Sequence, residues 1–405
     1  MLIHLAWKNI WRNKARSLVV AGSVMVGLWV GAFTMAYVFG MIDQRLKDAV
    51  ENEVSHLQFH HPQFEDDNEA RYYIAEGPDV LESLREDPRF KAVSARAVTF
   101  GMAGSAQTST GGKFVGMDPS SEDQLTGLKG KLTQGEYFQS DSRNKVIISE
   151  RLAEKLKVKL RSKIVLTFQD TTGNIVAGAF RIIGLYQTYN SGYDDIHIFL
   201  KAQDLWGLLG TAGQYQEIAA LLHDPQQLES MMEEMPPQYP QVKIESWKEI
   251  APELGLMVDS FDQYMVIFLI IILLALSFGI INTMLMAVLE RVREIGMLMA
   301  IGMNRIRIFF MIALETIYLV LIASPVGLLL AYLTITHLGE VGMDLSGLYQ
   351  EGYAAYGFKS FIYPKLETIY YWRILVMVAV TAVLASIYPA LTAIRLNPVS
   401  AIRKI

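Results

Sequence analysis

Residues 264–289 read YMVIFLIIILLALSFGIINTMLMAVL, and residues 290–302, which follow directly, read ERVREIGMLMAIG. The first stretch has no charged side chain and, as an α-helix, is long enough to cross about 30 Å of hydrocarbon. The second opens with four charged side chains. These are Glu290, Arg291, Arg293 and Glu294. Because charges are costly inside a bilayer, the two stretches together predict a membrane helix that ends in a water-facing segment.

Three further stretches are long and apolar enough to span a membrane. The fold class predicted is therefore a membrane α-helical protein with four transmembrane helices and a large α/β domain inserted between helices 1 and 2. The predicted boundaries are an N-terminal interfacial helix at 1–17, spans at 18–42, 264–289, 308–334 and 374–394, the inserted domain at 43–263, a water-facing segment at 290–307, an outer loop at 335–373 and a tail at 395–405.

The composition limits the class of protein. Of 405 residues, 52% are hydrophobic and 19% are charged, which is too apolar for a soluble protein of this size and too polar for a wholly embedded one. The chain has no cysteine, which excludes disulfides and thiolate metal sites. The first apolar stretch is too long for the core of a cleavable signal peptide, so we expect it to persist as the first membrane helix.

Charge is distributed unevenly along the chain. The segments 1–17, 290–307 and 395–405 together carry 11 basic and two acidic residues, whereas 43–263 carries 34 acidic and 22 basic ones. Basic loops stay on the cytoplasmic side of a membrane. We therefore expect both termini and the 290–307 segment in the cytoplasm and the acidic domain outside. The acidic balance of that domain argues against nucleic acid as a partner.

The inserted domain, about 220 residues long, is large enough for a core of its own. Its pattern mixes both kinds of regular structure. We expect strands at 54–59 and 145–149, a hairpin at 164–169 and 175–185, helices at 149–158, 228–235 and 247–254, and loops at 101–112 and 190–195. The helix at 247–254 leads towards the second span and is a candidate connector between the domain and the membrane.

Three histidines near the start of this domain raise the question of a metal site. His56, His60 and His61 offer imidazole nitrogens, which bind zinc or copper. In a strand, however, His56, Gln58 and His60 share one face. An exposed polar face explains them without a metal, so no metal ligand is assigned. The run Glu65-Asp66-Asp67 lacks the remaining spacing of an EF-hand and is interpreted as a solvated loop.

The sequence contains none of the common catalytic or nucleotide-binding motifs. Gly111-Gly112-Lys113 and residues 127–131 lack the spacing and the hydroxyl of a phosphate-binding loop. Within a predicted span the only acid is Glu315, for which we expect a structural or coupling role, either at the interface or paired with Arg305 or Arg307. The chain is therefore not predicted to be an enzyme, and any energy source lies on another chain.

Three motifs together resemble a known family. They are RVREIGMLMAIG at 291–302, YPALTAIRLNPVSAIR at 388–403 and LAWKNIWRNKARS at 5–17. They are similar to the coupling segment, the C-terminal signature and the N-terminal entry helix of the type VII ABC transporter permeases, an FtsX-like and MacB-like family. Residues 55–62 are more similar to the lipoprotein-releasing permeases of the LolC/LolE type than to macrolide exporters. The resemblance implies a MacB-type periplasmic core domain at 43–263, with a smaller subdomain at about 117–201.

The resemblance also implies a mechanism, mechanotransmission, in which the chain transmits movement. A cytoplasmic ABC ATPase dimer, which holds ATP and Mg²⁺, would seat on the coupling segment, and no cofactor is expected on this chain. The residues expected to couple to the ATPase are Glu290, Arg291, Arg293, Glu294, Ile295, Gly296, Leu298, Met299 and Gly302. The helical spacing of Ile295, Leu298, Met299 and Gly302 predicts the face that buries against that partner.

The expected cargo is a lipoprotein released from the bacterial inner membrane towards the outer membrane. Expected partners are a second permease copy or a paralogue, membrane lipids, and a periplasmic chaperone or adaptor. An acyl-chain groove is expected between the first two spans, lined by Met25, Val26, Trp29, Phe33, Met265, Phe268, Leu269 and Ile272. Two alternatives stay open. One is an efflux permease for a macrolide, peptide or lipid that works with an adaptor and an outer-membrane duct, and the other is a signalling scaffold that regulates a cell-wall hydrolase.

Overall fold

The computed structural model describes residues 2–12, 14–139, 143–345, 352 and 356–395, without the side chains of Leu2, Ile3, Leu5 and Arg16. The chain divides into two compact units. The membrane unit comprises Met1–Ile42, Ser260–Asp344 and Phe361–Ile405, and the sheet unit comprises Asp43–Asp259 and Leu345–Ser360. Residues 396–405, which include most of the predicted tail, lie outside the described residues.

The regular elements are as follows. The helices are α1 (Leu2–Arg12), α2 (Lys14–Ala49), α3 (Phe64–Asp67), α4 (Gly77–Glu86), α5 (Pro119–Thr126), α6 (Glu150–Lys155), α7 (Ser191–Asp194), α8 (Ala202–Leu209), α9 (Leu228–Glu234), α10 (Trp247–Ile250), α11 (Pro252–Asp259), α12 (Phe261–Glu290), α13 (Val292–Ala300), α14 (Arg305–Val341) and α15 (Thr368–Ile394). The strands are β1 (Leu57–His60), β2 (Phe90–Gly104), β3 (Ser109–Met117), β4 (Leu132–Gly135), β5 (Lys145–Ser149), β6 (Lys163–Gln169), β7 (Ile175–Tyr186), β8 (His197–Lys201), β9 (Glu217–Leu222), β10 (Lys243–Ser246), β11 (Met343–Asp344) and β12 (Phe361–Ile362). A π-helical turn at Val50–Val54 and 3₁₀ turns at Leu128–Lys131 and Pro225–Gln227 complete them.

Within the described residues, four helices of the chain are long and apolar enough to cross a membrane. They are α2, α12, α14 and α15. They pack around one apolar core, to which α1 contributes Ile10. A Cβ atom added at Gly327 of α14 would lie 2.9 Å from the carbonyl oxygen of Met25 in α2. The helices therefore approach at a point where only a glycine fits, as is common between membrane helices.

The sheet unit is built on one mixed sheet of ten strands among its described residues. The strand order is β10-β1-β9-β2-β3-β8-β5-β7-β4, and β6 pairs with both β2 and β7. The pairs β3–β8 and β5–β7 are parallel, and the other pairs are antiparallel. Because β2 is 15 residues long, it pairs with β9 near its start and with β6 at its end.

Two main apolar cores cover this sheet. One gathers Leu57, Phe59, Leu84 and Ile218 from β1, β9 and α4. The other gathers side chains of β2, β3, β5, β6, β7 and β8 with α6 and α8, among them Ala97 of β2 and Phe114 of β3. The second core therefore includes residues of β2 and β3 that precede position 117, where the smaller subdomain was predicted to begin. Long-range strand pairing, which the sequence does not display, draws them in.

The prediction of a loop at 101–112 is wrong. β2 and β3 form a hairpin there, with Gly101 opposite Gly112 and Met102 opposite Gly111. The turn is confined to 105–108, where Ser105 Oγ accepts hydrogen bonds from the N–H groups of Gln107 and Thr108 at 3.1 Å. At Gly101 the neighbouring strand β6 comes so close that a side chain would not fit, because a Cβ there would lie 2.2 Å from the Thr167 carbonyl oxygen.

Two other predicted elements differ from those observed. The strand predicted at 54–59 begins at Leu57, because the helix of α2 continues to Val54 and ends at Ser55, whose φ is 68°. The helix predicted at 247–254 is split into α10 and α11 at Ala251, since Pro252 lacks the N–H group that a continuous helix needs. The predicted loop at 190–195 contains the single turn α7.

The predicted hairpin and the capped helix before it are confirmed. β6 and β7 pair from Lys163↔Arg181 to Gln169↔Ile175. In the turn between them, Asp170 Oδ1 accepts hydrogen bonds from the N–H groups of Thr172 and Asn174. Ser149 caps α6 by accepting from the Leu152 N–H at 2.9 Å. The α6 helix ends at Lys155, short of the predicted Val158.

Candidate functional site: the coupling segment

The segment between α12 and α14 folds into a short helix of its own. α12 ends at Glu290, and Arg291, with φ of −104° and ψ of 17°, separates it from α13. Gly302 then adopts a φ of +99°, a conformation that favours glycine, and so turns the chain after α13. Asn304 caps α14 by accepting a hydrogen bond from the Ile306 N–H at 3.1 Å.

Arg291 does not face solvent but forms a buried ion pair. Its Nη1 lies 3.1 Å from Oε1 and 3.3 Å from Oε2 of Glu315 in α14, and its Nη2 donates to the Asn9 carbonyl oxygen at 3.2 Å. The Arg291 side chain is 12% exposed and that of Glu315 is 8% exposed. One guanidinium therefore links α13, α14 and α1. The predicted pairing of Glu315 with Arg305 or Arg307 is corrected accordingly: Arg305 and Arg307 are exposed.

The apolar face of α13 that was predicted to bury against a partner is covered mainly by this chain. Ile295 is 4% exposed and belongs to the core of the membrane unit, and Leu298 and Met299 pack against the same core. Gly296 is also buried, whereas Gly302 is exposed. The exposed apolar side chains are Met297, at 46%, and Ile301, at 85%. Amphipathic spacing identified a buried face correctly, but the surface that this face covers belongs to the chain itself.

An exposed stripe, defined here as Arg293, Met297 and Ile301, runs along α13. These residues are four positions apart, so they lie on one side of a helix, and each is exposed. Glu294 is beside the stripe and forms an ion pair with Arg12 of α1. Glu290, at the end of α12, is exposed as well. The stripe offers one cationic and two apolar side chains for contact with another protein.

The N-terminal helix α1 is amphipathic and packs beside this segment. Ala6 and Ile10 are buried, whereas Trp7 and Trp11 are 42% and 56% exposed. The Trp7 ring also makes an edge contact with Tyr318 of α14, with ring centroids 6.1 Å apart. This arrangement suits a helix that lies at a membrane interface. Of the C-terminal signature, residues 396–403 lie outside the described residues.

A pocket of about 420 Å³ lies between the α13 segment and helices α1, α12 and α14. The side chains of Arg12, Arg291, Glu294 and Glu315 line its polar part. The remaining lining is mainly apolar, and includes Met284, Met311 and Ile312. Met297 and Ile301 of the exposed stripe also line this pocket.

The residues predicted for an acyl-chain groove are divided between the core and the surface. Met265 and Leu269 are buried in the bundle, while Val26 is exposed. Trp29 donates from Nε1 to Thr334 Oγ1 of α14 at 3.0 Å. Met25, Phe33 and Phe268 are partly buried against the core. Within this single chain the first two spans pack directly together, and the groove stays a prediction.

The histidine-bearing face of β1 is buried, so the prediction of an exposed polar face is wrong. His56, Gln58 and His60 are 7%, 5% and 3% exposed. The π-helical turn covers it where Gln58 Nε2 donates to the Val54 carbonyl oxygen at 2.6 Å. The Phe64 ring of α3 covers it by stacking on His60, with ring centroids 5.6 Å apart. Burial lowers the pKa of both His56 and His60.

The three histidines have separate environments. His56 Nδ1 accepts a hydrogen bond from the Leu222 N–H at 3.0 Å, and His61 Nδ1 accepts one from the Gln63 N–H at 3.2 Å. His60 instead lies with Glu65 and Glu245, two residues far apart in sequence. Sequence reasoning considered the histidines as a group and therefore missed the carboxylates with which His60 is associated.

A buried ion network at the centre of the sheet was also missed. Arg96 of β2 donates to Glu122 Oε1 at 2.7 Å and to Glu217 Oε1 at 2.5 Å, and all three side chains are at most 5% exposed. The sequence feature that could have revealed the network is Arg96, the single charged residue in the apolar stretch AVSARAVTF at 92–100. The network fixes α5 against β2 and β9 and so has a structural role.

Family comparisons cover both parts of the chain. Residues 17–238 match the MacB-like periplasmic core domain, and residues 266–398 match the FtsX-like permease C-terminal domain. The periplasmic region of MacB from Actinobacillus actinomycetemcomitans superposes with a TM-score of 0.37 at 13% identity, covering 52% of this chain and 98% of that one.

Three relatives are similar in sequence. An ABC transporter permease of Methanocaldococcus jannaschii is 27% identical over 234 residues, and the match spans 55% of each chain. The macrolide export ATP-binding/permease protein MacB of Rhodopirellula baltica is 32% identical over 128 residues, 31% of this chain and 16% of that one. The lipoprotein-releasing system protein LolC of Haemophilus influenzae is 22% identical over 307 residues, 72% of each chain. With a periplasmic core match over more than half of its length and an FtsX-like match at residues 266–398, this chain belongs to the MacB- and FtsX-like ABC transporter permeases.

Proposed function

We propose that this chain is the permease subunit of an ATP-driven transporter that releases lipoproteins from the inner membrane by mechanical transmission. In this proposal α13 and the two termini lie in the cytoplasm and the sheet unit lies in the periplasm. The proposal rests first on the exposed stripe of α13, because a charged and apolar surface next to the membrane suits docking on a soluble protein. ATP and Mg²⁺ would be held by that protein, an ABC ATPase dimer.

The anchoring of α13 supports a mechanical role. Arg291 ties the start of the helix to Glu315 of α14 and to the backbone of α1. A force applied to the exposed stripe would therefore reach two other helices through one side chain. Coupling between distant sites requires such a connector together with a second arrangement that the structure can adopt.

The second span supports a partner within the membrane. Only 22% of the apolar window of α12 is buried in this chain, compared with 50% for α14. The outward side chains of α12 include Ile267, Ile270, Ile271, Leu274 and Phe278. A second permease copy or a paralogue would cover part of this surface, and the acyl-chain groove would then lie between chains.

Lipoprotein release is the preferred activity because the LolC relative aligns over 72% of both chains. The acyl chains of such a cargo are apolar and flexible, and the exposed aliphatic and aromatic side chains of α12 offer them an apolar surface. The alternative is efflux, which the 128-residue match to the macrolide exporter favours. In that case an adaptor and an outer-membrane duct would be the partners.

The first experiment tests the stripe. Arg293→Ala combined with Ile301→Ala should abolish ATP-dependent lipoprotein release from spheroplasts while leaving the amount of folded permease unchanged. Arg373→Ala is the matched control. Arg373 is an exposed arginine that lies 3.6 Å from Asp262. Asp262 is near the start of α12, whereas Arg291 follows its end, so the two are about 42 Å apart at a rise of 1.5 Å per residue. Release that continues in the Arg293 and Ile301 variant would exclude the stripe as the docking surface.

A second experiment distinguishes the two activities. The tagged chain is purified in mild detergent, and the proteins that accompany it are identified by mass spectrometry. An ATPase together with acylated lipoproteins supports release, whereas an adaptor or an outer-membrane duct supports efflux. Recovery of no ATPase in any detergent would contradict both.

A further inference from the structure

A histidine and two carboxylates from separate elements meet on the sheet unit. His60 ends β1, Glu65 lies on α3, and Glu245 lies on the edge strand β10. Pairing of β1 with β10 places Lys243 opposite His60 and Glu245 opposite Gln58. One ligand atom from each of His60, Glu65 and Glu245 lies within 4.8 Å of the other two. The fold therefore gathers these donors from the start and the end of the sheet unit.

Two atoms of this cluster lack a hydrogen bond. Among the described residues, Nδ1 of His60 and Oε2 of Glu245 are buried without a partner. His60 is 3% exposed and Glu245 is 4% exposed, so bulk water does not satisfy these atoms. The other ring nitrogen of His60, Nε2, lies 2.9 Å from Gln58 Oε1. A neutral imidazole that donates through Nε2 keeps an unprotonated lone pair on Nδ1, which is the state that a metal ion requires.

A cation already lies between the two carboxylates. Lys243 Nζ is 2.7 Å from Glu65 Oε2 and 2.6 Å from Glu245 Oε1. The Lys243 side chain is 42% exposed, so it can turn into solvent without leaving a cavity. The Glu245 side chain, by contrast, is only 6% exposed. The cluster thus has the charge of a cation site, and its present cation is on a partly exposed side chain.

We propose that His60, Glu65 and Glu245 form a binding site for a divalent transition-metal ion, with Zn²⁺ as the preferred ion and Lys243 as an internal competitor. One imidazole nitrogen with two carboxylate oxygens is a donor set that suits zinc, and it leaves at least one coordination position for water. The bound ion would join α3 to the edge strand of the sheet. Because β10 continues directly into α10, α11 and then α12, the ion would stiffen the end of the sheet unit that leads into the second span.

This inference departs from the expectation that the histidine face binds no metal. That expectation relied on solvent exposure of the face, and the face is buried. The competing explanation is a permanent ion-pair triad in which Lys243 is the only cation. The two explanations differ in the effect of removing Lys243: a triad loses its cation and gains no ligand, whereas a metal site loses a competitor.

In the test, the full chain in detergent is stripped with EDTA, the EDTA is removed, and ZnCl₂ is titrated in while isothermal titration calorimetry measures the heat of binding. We expect one site per chain, weakened at least about tenfold by Glu245→Gln or by Glu65→Gln. Lys243→Met should tighten binding by about tenfold, because an ammonium group no longer repels the ion. Glu65 is on the surface helix α3 and its side chain is 35% exposed, so Glu65→Gln is expected to fold even if Glu245→Gln does not.

His61→Gln is the matched control. His61 is adjacent to His60 in sequence, but its Nδ1 accepts a hydrogen bond from the Gln63 N–H. Zinc-edge X-ray absorption of the loaded protein should report one imidazole among nitrogen and oxygen ligands. Absence of saturable binding in both the wild type and Lys243→Met overturns the proposal. So does binding that His61→Gln abolishes and Glu65→Gln leaves unchanged, which would mark the ion as adventitious.

Discussion

Removal of the Arg291 side chain should destabilise the membrane unit far more than removal of the neighbouring Arg293. Arg291 Nη1 lies 3.1 Å from Glu315 Oε1, and the two side chains are 12% and 8% exposed. At that separation and an effective dielectric constant of about 20, the attraction amounts to about 5 kcal/mol before the cost of desolvation. Loss of one partner leaves the other charge buried alone. Arg291→Ala should therefore lower the free energy of unfolding by about 3–5 kcal/mol.

Two further variants isolate the ion pair. Arg291→Lys keeps the charge, but a single ammonium group cannot keep both the Glu315 contact and the Asn9 carbonyl bond in the same geometry, so it should cost about 1–2 kcal/mol. The double variant Arg291→Met with Glu315→Leu should recover most of the loss, because neither charge is left unpaired. The coupling energy of the cycle should exceed about 2 kcal/mol.

The assay is SDS-induced unfolding of the full chain in mixed micelles, followed by tryptophan fluorescence; Trp7 and Trp11 on α1 lie close to the ion pair. Arg293→Ala, which removes an exposed arginine two residues away, should stay within about 0.5 kcal/mol of wild type. An Arg291→Ala protein as stable as wild type, or a cycle with no coupling energy, would refute the argument that this pair holds the segment in place.

Two other substitutions test packing and buried charge. Gly327→Ala should destabilise by about 1–3 kcal/mol, since the added Cβ meets the Met25 carbonyl oxygen at 2.9 Å, whereas Gly22→Ala, with nothing within 4 Å, should be neutral or mildly stabilising in the same assay. Burial lowers the pKa of Lys131 from 10.5 to about 8, so its charged form destabilises the fold below pH 8 and this penalty disappears as the pH rises to 10.5. Lys131→Met should therefore raise stability by about 1–3 kcal/mol at pH 7, and the gain should vanish near pH 10.5; a gain that is independent of pH would contradict the burial explanation.

Local patterns predicted much of the fold, and long-range contacts account for the failures. The β6–β7 hairpin and the cap at Ser149 follow from turn and cap residues that act within a few positions, and both are confirmed. The glycine-rich stretch at 101–112 resembles a loop when taken alone. In the structure this stretch is part of the β2–β3 hairpin. Gly101 pairs with β6 and lies against the backbone at Thr167, more than 60 positions later in the chain. No local signal reports that contact.

The same limit applies to the faces of α13 and β1. The helical period of α13 showed that one face is apolar, but it did not show whether the chain or a partner covers that face. The chain itself covers that face, because Ile295 is buried in the core of the membrane unit and Leu298 packs against this core. Similarly, the alternation in β1 placed His56, Gln58 and His60 on one face, but it did not reveal that a π-helical turn and α3 cover them. Periodicity identifies faces, and only tertiary structure identifies what lies opposite.

The surroundings also separate the roles of three of the four charges that open the coupling segment. Arg291 is an internal anchor, Glu294 pairs with α1, and Arg293 is left on the exposed stripe. Ile301 lies ten residues beyond the anchor, about 15 Å along a helix, and it lines the pocket beside α13. A push on Ile301 would be transmitted along α13 to Arg291 and so load α14 and α1 together. On this argument Arg291→Lys should keep the ATPase bound and lose release, whereas loss of the stripe should lose the ATPase itself. Co-purification measured beside release decides between them, and an Arg291→Lys permease with full release would remove the anchor from the mechanism.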